Sequence, residues 1–206
     1  MSITTYTNLQ SSVADWLLRD DLTAVIPSFI SLAEANLNRD ARHWRMEDRS
    51  AATLDSQYSA VPADFLEPIR LSITSGTTSE LQIVSQPDMV DLRARSANTS
   101  GVPRYYAMTA GEIEVVPSPS GSHTLEMTYF ARLPALSDSN ADNWLLTYYP
   151  DAYLYGTLLQ AAPYLKDDER VGLWKSLYDG AVAGIIADGE RAKFGGSGLR
   201  VKIRSY

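Results

Sequence analysis

Apolar residues recur at spacings of three and four near the start of the chain: Tyr6, Leu9, Val13, Trp16 and Leu17. They follow Thr5, whose hydroxyl suits an N-cap, and the spacing predicts a helix. After "RDD" the same period runs through Leu22, Val25, Ile26, Phe29, Ile30, Ala33, Leu37, Ala41 and Trp44. Pro27 sits inside this pattern, so the regular helix begins there or bends.

From about residue 46 to residue 144 the texture changes to short runs of β-formers separated by proline and Ser/Thr/Gly clusters. "FLEPIRLSIT", "ELQIV", "RYYAM", "EIEVVP" and "HTLEMTYFARL" read as strands. "TSGTTS" predicts a hairpin between the first two, and "PSPSGS" predicts another between "EIEVV" and "TLEMTYF". "QPDMVDLRARS" reads as a short helix with Asp88 as its cap or first-turn acid.

Helical texture returns at Pro150, well placed in the first turn of "PDAYLYGTLLQAAPYL", with Pro163 weakening the last turn. A further helix, capped by Asp167 or Asp168, carries Val171, Trp174, Tyr178, Ala181 and Ile185 on one stripe. Gly180 and Gly184 are spaced to let another backbone approach one face of it. The plan is helix, helix, β-rich insertion, helix, helix, tail, an α+β chain without internal repeats.

With 206 residues, 45% hydrophobic and 21% charged, the chain can bury a core and is not compositionally disordered. No cysteine is present, which removes disulfides, thiolate metal sites and cysteine nucleophiles. Neither a secretory leader nor an apolar run of membrane-spanning length is seen, so the expectation is a soluble protein without membrane partners, intracellular when made. The net charge of −7 is uneven. Residues 191–206 hold five basic residues and no acid, leaving 13 basic and 25 acidic residues in 1–190, a net of −12 against +5. Such an acidic body disfavours gripping nucleic-acid phosphates.

Candidate chemistry is sparse. His43 and Glu47 stand at the i, i+4 spacing of a metal-binding helix face, but a pair is half a site and reads as packing or a surface ion pair. "DSNADN" (Asp138–Asn143) resembles the start of a calcium loop, yet Asn143 stands where the loop needs glycine and Tyr149 where it needs a bidentate glutamate. "GGSG" lacks the Lys-Ser/Thr of a phosphate loop. No cofactor is expected. Acids abound without a nameable pair, so a carboxylate-dependent hydrolase is the weaker alternative. The 12 tyrosines, with pairs at Tyr105–Tyr106 and Tyr148–Tyr149, suit interfaces as well as cores.

The chain ends "FGGSGLRVKIRSY". Gly195, Gly196 and Gly198 lead into Leu199, Val201 and Ile203 alternating with Arg200, Lys202 and Arg204, closed by Tyr206. Period-two alternation suits a strand that adds to a partner's sheet edge. Twelve extended residues beyond Phe194 reach about 40 Å.

Several long phrases then carry a resemblance: "FISLAEANLNRDAR", "VPADFLEPIRLSI", "GVPRYYAMTAGEIEVVPSPSGSHTLEMTYFARLPALS" and "NWLLTYYPDAYLYGTLLQAAPYLKDDERVGLWKSLYDGAVAGI". In this order, from about residue 5 to 190, the chain resembles the head-to-tail adaptor (head-completion, or connector) proteins of tailed bacteriophages. The resemblance implies a small bundle of four main helices, residues 1–45 and 145–194, with a β-rich insertion, 46–144, and an extended arm, 195–206. It implies a non-enzymatic virion protein of the head–tail neck, forming a homo-oligomeric ring, commonly of twelve copies, under the portal protein ring. The ring extends the DNA channel, passes genomic DNA without sequence-specific binding and gives the downstream tail or nozzle protein a platform. The arm, Gly195 to Tyr206, is expected to engage the portal. A stopper or tail-completion protein of the same neck is the alternative.

Overall fold

A computed structural model describes residues 2–19, 21–76, 78–95, 100–165 and 170–195. The chain divides into two compact units. One comprises the chain up to Met46 and from Leu133 onward, and the other is Glu47–Arg132.

In the first unit, α1 (Tyr6–Leu17) starts where Thr5 Oγ1 accepts the Asn8 N–H at 3.2 Å. This satisfies one of the amides a helix start leaves free. α2 (Ile26–Asp40) carries Pro27 in its first turn, where the missing N–H costs nothing. The six helices of the described chain correct the expected bundle of four. α3 (Gln86–Arg95) lies in the β-rich unit, and a one-turn α4 (Trp144–Tyr148) precedes α5 (Pro150–Leu165) and α6 (Val171–Phe194). α4 exists because Asn143 Oδ1 caps it, accepting the Leu146 N–H at 2.9 Å. Its five residues are too few to show a helical period.

α5 packs against α1, α2 and α6, burying Tyr153, Leu158, Ala161 and Ala162. Close approach depends on Gly156: a Cβ there would lie 3.2 Å from the Tyr178 ring of α6 and 3.4 Å from Ala33 of α2. Tyr178 is held in turn by donating to Asp40 Oδ2 at 3.0 Å. Gly180 and Gly184, expected to serve close packing, do not. Both are exposed, and a Cβ on either would meet nothing within 4 Å. The core stripe of α6 runs instead through Trp174, Tyr178, Val182 and Ile185. Each such apolar side chain contributes about 1.5–3 kcal/mol by leaving water. No helix among the described residues is long and apolar enough to cross a membrane.

Among its described residues the second unit holds ten short strands: β1 (Glu47–Leu54), β2 (Tyr58–Ala60), β3 (Phe65–Ile73), β4 (Ser79–Glu80), β5 (Gln82–Ile83), β6 (Ser100–Gly101), β7 (Tyr105–Thr109), β8 (Glu112–Val116), β9 (Ser118–Pro119) and β10 (His123–Ala131). They form sheets in the orders β1-β10-β3-β4 and β2-β8-β7-β5, with β6 and β9 a separate pair. Leu71, Ile73, Leu125 and Met127 of the first sheet share one buried cluster with Tyr106, Ile113 and Val115 of the second. The other face of β7–β8 carries Ala107 and Val116 against Met89 of α3, with Arg93 paired to Glu114. Ser85 and Asp88 start α3 reciprocally: Ser85 Oγ accepts the Asp88 N–H and donates to Asp88 Oδ2.

β3 and β4 pair antiparallel across "TSGTTS", whereas the predicted β8–β10 hairpin does not form, because those strands belong to different sheets. The hairpin partner of β8 is β7, joined through Ala110 (φ 52°) and Gly111 (φ 82°), a turn with two left-handed residues. Alanine rarely adopts that conformation, so the sequence hides the turn. β1, polar and without clean alternation, escaped prediction too. It is a strand because all eight residues pair with β10. Pro68 lies within β3, opposite Tyr129 where the register shifts; β4 pairs only with Ser72 and Ile73, so one side of β3 is an edge at the proline.

Candidate functional site

His43 and Glu47 do not share a helix face, since α2 ends at Asp40. His43 precedes a 3₁₀ turn, Trp44–Met46, and Glu47 opens β1. The buried His43 ring stacks on Trp144, centroids 5.0 Å apart at 22°, with Tyr149 edge-on at 5.9 Å. Its Nδ1 accepts the Arg45 N–H at 3.2 Å. α6 closes over this ring at Gly189, where a Cβ would lie 3.2 Å from both His43 Cα and Cδ2. The "DSNADN" segment is occupied locally. Asn140 Nδ2 donates to the Ala135 carbonyl, and Asn143 Nδ2 donates to the Pro134 carbonyl and to Tyr153 Oη. Among the described residues, no three His, Asp or Glu side chains converge as a metal site would need. In the β-rich unit a cleft of about 410 Å³ is lined by Arg70, Glu80, Gln82 and Tyr106 among others, without an assembled nucleophile and base.

The feature that stands out is a surface cluster around the end of α6. The Arg45 guanidinium lies 4.7 Å from the Trp44 ring centroid and 4.3 Å from that of Tyr148. Trp44 is 41% exposed and Tyr148 56%. Helical spacing placed Trp44 on the buried stripe of the second helix; the end of α2 at Asp40 frees it to turn outward. Beside it, Tyr149 Oη donates to Asp188 Oδ2 at 3.1 Å, and Arg191 binds Asp188 Oδ1 at 2.5 Å. Burial pushes the Tyr149 phenol up; the Asp188 hydrogen bond and charge add to this, and Arg45 and Arg191 pull it back.

Arg191 and Lys193 occupy the last turn of α6, where cations meet the negative end of the helix dipole. At Gly195 the N–H donates to the Arg191 carbonyl at 2.6 Å and the chain turns extended. A Cβ there would sit 2.5 Å from that carbonyl oxygen, so only glycine permits this exit. The predicted arm residues Gly196, Gly198, Leu199, Arg200, Val201, Lys202, Ile203, Arg204 and Tyr206 lie outside the described residues.

Comparison with known families decides the assignment: the model of the SU10 adaptor protein family matches residues 4–202. The chain belongs to that family. It is thereby a bacteriophage adaptor protein, of a structural family. A search of the curated proteins gives no match. In this SU10 adaptor chain, the Trp44–Arg45–Tyr148 cluster went unrecognised in the sequence. Its signals, the "HWR" triplet and the Tyr148–Tyr149 pair, lie about a hundred residues apart.

Proposed function

We propose that this adaptor works in the phage head–tail neck as a ring, twelve copies by the resemblance, seated under the portal. It extends the DNA channel and offers the tail its platform. The observation that carries the reading is the family match over nearly the whole chain. The charge division supports it: a body of net −12 has few free cations to hold passing phosphates. In this reading Gly195, Gly196 and Gly198 let the arm leave α6, and Leu199, Val201 and Ile203 clip to a sheet edge of the portal. Arg200, Lys202 and Arg204 meet acidic portal surface, and Tyr206 closes the contact.

The test is the mass by light scattering of the full chain and of a chain ending at Phe194, each mixed with the portal ring of the same particle. Binding of the full chain alone, as a defined multiple, is the expected result. Equal binding of both chains would remove the arm's role, and no binding by either would overturn the portal as partner.

A further inference from the structure

Arg45 makes only ring contacts with its side chain among the described residues, so its N–H donors have no oxygen partner there. Arg19, Arg49, Arg93 and Arg191, by contrast, are each ion-paired, whereas Arg45 is held between two aromatic rings. The residues around Arg45 are held in place. Its backbone is tied to His43, His43 is stacked on Trp144, and Gly189 of α6 closes the other side. An exposed tryptophan and tyrosine flanking a braced arginine have the composition of an interface anchor, with little ordering left to do on binding.

Charge and position say what such an anchor would meet. α6 passes Gly189 and ends six residues later at Gly195, about 9 Å of helix, so the arm departs close to the cluster. From residue 191 onward the chain holds five cations and no acid, and Arg45 extends that field on the folded surface. A partner face that suits both must be acidic.

We propose that Trp44, Arg45 and Tyr148 form the rigid half of the portal contact. A carboxylate on an acidic face of the portal ring seats against the Arg45 guanidinium, while the two rings cover it from water. The proposal rests on the reading that the arm engages the portal, and it adds a second, preformed anchor on the body of the adaptor.

The experiment measures binding of the full chain to immobilised portal ring for wild type, Arg45→Ala and Arg45→Lys, beside the chain ending at Phe194. Arg45→Ala weakens binding at least about tenfold with the arm intact. Arg45→Lys keeps the charge but loses the planar fork, and recovers only part of the loss. Circular dichroism of both variants matches wild type, and the difference between them and wild type narrows as salt rises. If the chain ending at Phe194 loses binding while Arg45→Ala binds as wild type does, the arm reading stands and this proposal falls. A change confined to self-association in Arg45→Ala would overturn it in favour of a contact between copies. Failure of wild type to bind the ring would sink both.

Discussion

The Tyr153 hydroxyl donates to the Glu34 carboxylate at 3.2 Å across 119 residues of chain. The same Oε1 accepts the Leu136 N–H at 2.8 Å, and Asn38 Oδ1 accepts the Leu133 N–H at 2.9 Å. α2 thereby holds the segment that returns from β10 to the helical unit. Glu34→Ala would leave the buried Leu136 N–H and the Tyr153 O–H donor without an acceptor, although Tyr153 Oη still accepts from Asn143, and would lower stability by about 2–4 kcal/mol. Glu34→Gln keeps an acceptor and costs less. Urea denaturation of the two variants checks the order.

Glu34 also gives stability a pH dependence. Burial raises its carboxyl above the ordinary 4.5, against the pull of the Leu136 and Tyr153 hydrogen bonds. The folded state therefore binds this proton more readily than the unfolded one. The contribution is full below the ordinary value and is lost as pH rises through the raised folded value. Glu34→Gln is expected to flatten the stability–pH curve across that interval. An unchanged slope would assign it to other groups.

Two glycine substitutions should have opposite signs. Gly180→Ala fills open space on an exposed helix face and should stabilise by about 0.5–1 kcal/mol. Gly156→Ala pushes on Tyr178, pinned by Asp40, and on Ala33, and should destabilise by about 1–3 kcal/mol. Thermal melts of the free chain measure both.

Ala110 holds φ 52° in the β7–β8 turn, at a cost of about 1 kcal/mol that glycine does not bear. Ala110→Gly should raise the melting temperature by a few degrees. A fall would mean that the turn is not left-handed in solution.

In the arm, Val201→Asp with Ile203→Asp should abolish portal binding while far-UV circular dichroism stays that of wild type. Unchanged affinity would remove the strand-addition mode from the proposed function.

What could be read from the sequence was local. Thr5 capping, Pro27 and Pro150 in first turns and the apolar periods of α1, α2, α5 and α6 are short-range effects, each complete within a few residues. Phrases long enough to carry a family resemblance also survive in the one-dimensional text. Tertiary structure decided the rest, because its causes lie far apart in the chain. β1 is a strand only through β10, some 75 residues on, and β8 takes β7 as partner because Ala110 tolerates a strained turn. Gly156 and Gly189, not Gly180 and Gly184, admit close neighbours, since that depends on which helix face meets another. Trp44 and Tyr148 flank one arginine only after α2 has ended at Asp40 and the chain has returned through Asn143, a meeting that no local period encodes.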